Sequence, residues 1–170
     1  MHPHSSVCQT SFTLNYNPMK HYWLLKSDAE SYSLDDLKRD GSTAWTGVRN
    51  YQARNYMRDD MKPGDKALFY HSNTATPGIV GTCEILSTPF ADPTAFDKKD
   101  SHFDPKATAE KPIWCAVEVK YVKHFKKPLT LDELRGMEGL DKMVILQKGT
   151  RLSISPVTEE EWGVVTGSAK

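Results

Sequence analysis

The chain has 170 residues, with 22 Lys and Arg balancing 22 Asp and Glu, enough for one domain that buries roughly 70% of the surface its unfolded form exposes. No apolar run approaches the roughly 20 residues that span a bilayer, and Cys8, Cys83 and Cys115 are odd in number and widely spaced, which fits neither a disulfide framework nor a zinc site. The expectation is an intracellular protein, cytoplasmic or nuclear, with no metal, no cofactor and no membrane partner.

Residues 1–18 are polar, acid-free and unpatterned, and read as a disordered extension; the domain is expected over 19–166, with 167–170 as a tail. Residues 19–26, dense in aromatic and branched side chains, read as its opening strand. Ser33 followed by Asp36 is a capping box for a short helix with Leu34 and Leu37 inward, ending near Gly41. A loop carrying Trp45 then runs into a second helix, and 62–65 is a tight turn in which Gly64 supplies positive φ. Strands are expected over 65–71 and 78–86, joined by a hairpin loop. Residues 87–112, proline-bearing and without periodicity, form a long surface excursion of the kind that frames a site.

The longest strand is expected over 113–125. There Ile113, Cys115, Val117, Val119 and Tyr121 share one parity and Trp114, Glu118 and Lys120 the other, which places Trp114 on the polar face. Thr130 caps a further helix, 140–148 forms another, and 151–157 is a last strand with Leu152 and Ile154 inward. Thr158 opens a closing helix that carries Trp162 and Val165. About six strands interleaved irregularly with short helices specify an α+β domain, a curled mixed sheet or small barrel with helices on its flanks.

The chemistry concentrates in residues 41–58, which hold three Arg and no acid, in the run Trp45-Thr-Gly-Val-Arg49-Asn-Tyr-Gln-Ala-Arg54-Asn55. Aromatics, amides and guanidiniums together suit a nucleobase and its phosphates. The plainer alternative is an amphipathic helix that buries Ala53 and Met57. Four polar clusters fall where strands stop or turn: Lys26-Ser27-Asp28, Trp45-Thr46, Tyr70-His71-Ser72, and Arg151 with Ser153. A Ser-Asp pair after a strand also makes an ordinary turn, and Trp45 and Trp114 could plug the core or cover an edge. Asp28, His71 and Ser72 can be drawn as a triad, but no Gly-x-Ser-x-Gly elbow exposes the serine and no glycine-rich phosphate loop is present. A second basic run, 120–127, extends a phosphate track or guards a sheet edge.

The run from Trp45 to Asn55 is followed by Met61-Lys-Pro-Gly-Asp65, Phe69-Tyr-His-Ser72, Gly78-Ile-Val-Gly81, Pro112-Ile-Trp114 and Arg151-Leu-Ser-Ile-x-Pro-Val157. In this order, over about residues 20–165, the chain resembles the EVE domain. That family is PUA-like and related to the YTH readers of methylated adenine. The resemblance implies a mixed β-barrel of about six strands flanked by short helices, holding a flipped base at its mouth. Lys26-Ser27-Asp28 and Trp45-Thr46 are similar to the Lys-Ser-Asn and Trp-Ser of YTH domains. Tyr70, His71 and Ser72 look like the strand lining the same pocket, Arg151 resembles the late Arg of those readers, and Trp114 matches the Pro-x-Trp of EVE proteins. Ala29 and Ser155 stand where Pro and Gln are common, which leaves the ligand open.

The expected activity is therefore non-enzymatic binding of DNA or RNA that carries a modified base. The base-binding candidates are Ser27, Asp28, Trp45, Thr46, Tyr70, His71, Ser72, Trp114 and Ser153, with Trp114 or Tyr70 as a second aromatic wall. The phosphate-binding candidates are Lys26, Arg49, Arg54 and Arg151. Two alternatives stay open: an enzyme acting on a modified base through Asp28 and His71, and a protein-interaction module. Oligomeric state is not specified.

Overall fold

The computed structural model describes residues 21–169, so the reading of 1–18 as a disordered extension, with Cys8, lies outside the described residues. Strand β1 (Tyr22–Asp28) lies one in from the edge, pairing in parallel with β3 (Lys66–Ser72) on one side and antiparallel with β7 (Ile154–Val157) on the other. Antiparallel pairing continues outward from β3 through β4 (Gly78–Ile85) and β6 (Cys115–Thr130) to β2 (Ser42–Trp45), while the short β5 (Phe90–Ala91) adds to β6. The sheet order is β2-β6-β4-β3-β1-β7.

Burial on both faces explains why β1 and β3 read as continuous apolar runs rather than alternating ones. Trp23, Leu25, Ala67 and Phe69 face one core, covered by α1 (Leu34–Asp40) and by α2 (Tyr51–Asn55), which runs on as a π turn through Asp60. Leu24, Leu68 and Tyr70 face a second core with Leu134 of α3 (Leu131–Arg135), Leu140, Met143 and Val165 of α4 (Glu159–Ser168). Three of the four helices begin in the anticipated capping boxes, Ser33 with Asp36, Thr130 with Glu133 and Thr158 with Glu161. Ala53 and Met57 are fully buried, as an amphipathic helix requires.

Four expectations are corrected. The sheet does not close into a barrel: its edge strands β2 and β7 are four residues each and pair only with β6 and β1. Beyond Leu25 the β1 edge meets only Ser153, whose carbonyl accepts the Lys26 N–H at 2.8 Å, and a seam stays open between that edge and β2. The Trp45 loop is partly strand, because residues 42–45 pair with the distant 117–120 of β6. The helix expected over 140–148 shrinks to a 3-10 turn at Val144–Leu146, since the Gln147 amide binds the Asp141 and Met143 carbonyls and the Thr150 hydroxyl binds those of Val144 and Gln147. Trp114 does not lie on a polar face: Ile113 has φ 59, the strand starts only at Cys115, and the indole is 5% exposed.

Candidate functional site

The open seam holds a cavity of about 450 Å³ between the end of β1, Ser153 ahead of β7, and residues 43–48 of β2 and its exit. That volume falls within the roughly 300–1,000 Å³ of small-ligand pockets. Trp45 forms one wall. Its indole is 9% exposed and meets Phe69 edge-on, with ring centroids 5.6 Å apart, so the same side chain anchors the core and faces the hollow. Tyr32 lines the cavity as a second aromatic, its hydroxyl donating to Asp40 at 2.9 Å. Burial and the Asp40 carboxylate push its phenol pKa up, so it stays neutral.

The polar rim is set by hydrogen bonds behind it. The Asp28 carboxylate accepts from Asn73 Nδ2 at 3.1 Å and from the Glu30 N–H at 2.9 Å. These bonds, the Asn73 one foremost, hold its carboxyl below the usual range, leaving a charged acceptor at the mouth. Ser27 Oγ donates to the Tyr32 carbonyl, and Ser72 Oγ to the Ser27 carbonyl at 3.2 Å. His71 Nε2 accepts the Leu34 N–H at 3.0 Å, anchoring the first turn of α1. Burial pushes the His71 pKa down, so the neutral ring keeps that lone pair. Asp28, His71 and Ser72 share no mutual hydrogen bond among the described residues; each instead holds the 27–34 turn, Asp28 through the Glu30 N–H.

Behind the opposite rim, the fully buried Asp92 accepts from the Gly47 N–H at 2.8 Å, Arg49 Nη1 at 2.9 Å, and the Thr94 N–H and hydroxyl at 2.8 and 2.7 Å. Burial alone would raise its pKa, but the Thr94, Arg49 and Gly47 hydrogen bonds outweigh that and lower it. Arg49 also donates to the His102 carbonyl, from Nη2 at 2.6 Å and Nε at 2.9 Å. Gly47, at φ +81, packs under the His102 ring, and a Cβ there would lie 2.9 Å from Nε2.

Trp114 belongs to a separate stack. Its indole N–H donates to Asp104 at 2.7 Å, the Arg49 and Arg54 guanidiniums sit 5.3 and 5.9 Å from its ring centre, and Tyr51 stacks at 4.8 Å. What remains of its surface borders another hollow, of about 430 Å³, with apolar walls that include Phe90 and Ile113. Arg54 is held there by the Ile113 carbonyl and the Asn55 amide oxygen.

Of the thirteen candidates, the cavity therefore brings together Lys26, Ser27, Asp28, Trp45, Thr46 and Ser153. His71 and Ser72 stand behind it, Arg49, Arg54 and Trp114 form the neighbouring stack, Tyr70 is buried in the second core, and Arg151 is exposed. Sequence reasoning missed Tyr32, Thr43 and His102 as lining residues. Tyr32 carried a usable signal, an aromatic in the polar turn beside Ser27-Asp28. His102 carried only its place in the long excursion, which does frame the cavity.

The family model of the EVE domain matches residues 21–167. Human thymocyte nuclear protein 1 is 39% identical over 180 aligned residues, spanning 95% of this chain and 80% of that protein. A solved structure from Pseudomonas syringae is 44% identical with a TM-score of 0.85, covering 88% of this chain and 99% of that one. A crystal structure of the human THYN1 protein in complex with 5-methylcytosine-containing DNA is 38% identical with a TM-score of 0.84, covering 89% and 98%. The chain belongs to the EVE-domain family.

Proposed function

We propose that this chain is a non-enzymatic DNA-binding domain that takes a modified base, such as the 5-methylcytosine contained in the DNA complexed with its human relative, into the cavity at the sheet seam. The observation that carries this reading is a solvent-open hollow with an indole wall and a rim of Lys26, Asp28, Thr46 and Ser153. The nuclear designation of the vertebrate relatives supports a nuclear site of action. His71 and Ser72 are committed to backbone partners, which favours a binding site over the hydrolase alternative.

Extruding a base costs a few kcal/mol, and stacking on one aromatic returns about 1–3 kcal/mol, so Trp45 alone barely offsets it. Tyr32 and hydrogen bonds to the base edge supply the remainder. The methyl group adds about 0.8 kcal/mol of apolar burial, roughly fourfold in affinity. Lys26 and Arg151 are the candidate cations left for flanking phosphates, because the Arg49 donors are taken by Asp92, Thr94 and the Val48 and His102 carbonyls, and Arg54 is held by the Ile113 carbonyl and Asn55.

Titration of a duplex with a single 5-methylcytosine against its unmodified copy tests the reading. The modified duplex is expected to bind roughly fourfold tighter, Trp45→Ala to weaken it about tenfold or more, and log affinity to fall against log salt with a slope of about −2 for two phosphate contacts. Equal binding of both duplexes by the wild type and Trp45→Ala overturns it.

A further inference from the structure

We infer that His102 reads the exocyclic amino group of the inserted base, making the cavity selective for cytosine- and adenine-type bases over thymine and uracil. The inference rests on the base-cavity reading above. Its chemistry comes from the tautomer. His102 Nδ1 lies 3.0 Å from Asp100 Oδ1, which also accepts the His102 backbone N–H at 2.8 Å. A carboxylate only accepts, so Nδ1 carries the proton toward Asp100, and in that tautomer Nε2 is the acceptor of the ring. That nitrogen sits over Gly47 at the cavity rim, where the missing side chain lets the ring approach.

Position is enforced from below. Asp92 binds the Gly47 N–H, and through Arg49 it also holds the His102 carbonyl, so one buried carboxylate sets the spacing of the two rim residues. A recognition group needs such support to be held within about 0.5 Å of its productive geometry. Asp28 is a second acceptor on the rim, and a charged one. A rim with two acceptors matches the amino group of cytosine or adenine and leaves the carbonyl of thymine or uracil facing a lone pair.

Thymine is the sharpest control, because it shares the 5-methyl group with 5-methylcytosine and differs only along one edge, with a carbonyl for the amino group and N3–H for the N3 lone pair. Each base is placed opposite an abasic site in the same duplex, so that neither is paired and extrusion costs are alike. Wild type is expected to prefer 5-methylcytosine, and His102→Ala to reduce that preference by about three- to tenfold, the worth of one net hydrogen bond. His102→Gln, whose amide oxygen is an acceptor, is expected to keep most of it. A purely structural role would instead weaken both duplexes equally, with a lowered Tm. If wild type discriminates and His102→Ala retains the full preference, or loses both affinities in proportion, the inference fails while the cavity reading stands. If wild type binds neither duplex, both fail.

Discussion

Trp45 and Trp114 are both candidate ligand contacts in the sequence, and they are opposite in the fold. Around Trp114 the polar groups are spent on one another: Asp104 accepts the indole N–H, and Arg54 is held by Ile113 and Asn55. Around Trp45 the core occupies one side of the ring, while the other faces a hollow whose rim keeps unused capacity at Lys26, Asp28 and His102. An aromatic among cations is therefore a binding wall only where the cations and acceptors have not already found partners inside the protein.

Asp92 joins the two regions, holding Gly47 on the cavity side and Arg49 on the Trp114 side, so its loss breaks both at once. Asp92→Ala leaves Arg49 without its carboxylate counter-charge in a largely buried setting and is expected to cost about 3–5 kcal/mol in denaturant unfolding, with binding to modified DNA lost in parallel. A loss confined to one region would separate what the structure joins.

Trp114→Phe sharpens the contrast. The ring stack survives, but Asp104 loses its donor, and the expected cost is about 1–2 kcal/mol of stability with DNA affinity unchanged. An affinity drop as large as that of Trp45→Ala would make the two indoles equivalent after all.

The smallest effect is a pH dependence behind the Trp45 wall. His71 has a folded pKa below its unfolded value near 6.5, because burial disfavours the charged ring and Nε2 must accept from Leu34. Its contribution is complete above pH 6.5 and is lost as pH falls toward the folded pKa, since the unfolded chain then binds the extra proton. Tm should therefore decline as pH falls below 6.5, and His71→Gln, whose amide accepts without titrating, should flatten that decline in a calorimetric scan.

Legibility followed locality. The three capping boxes, the Gly64 turn at φ +94 and the buried pair Ala53 and Met57 were all readable, because each depends on residues a few positions apart. β2 was not, since its four residues become a strand only by meeting β6 more than 70 positions later. The site divided along the same line. Lys26, Ser27 and Asp28 were marked by ending a strand, whereas His102 has no local signal and reaches the cavity only through Arg49 and Asp92.

By itself the sequence determined three helix starts, the opening strand and the aromatic, acid-free segment whose motifs mark the family, because these are written in short-range periodicity and side-chain type. Only the tertiary structure decided that the sheet stays open, that the cavity fills its seam, and which of two similar indoles faces it. The physical reason is that a hollow, and the free valence of the groups around it, are properties of what long-range packing leaves unfilled and unpaired.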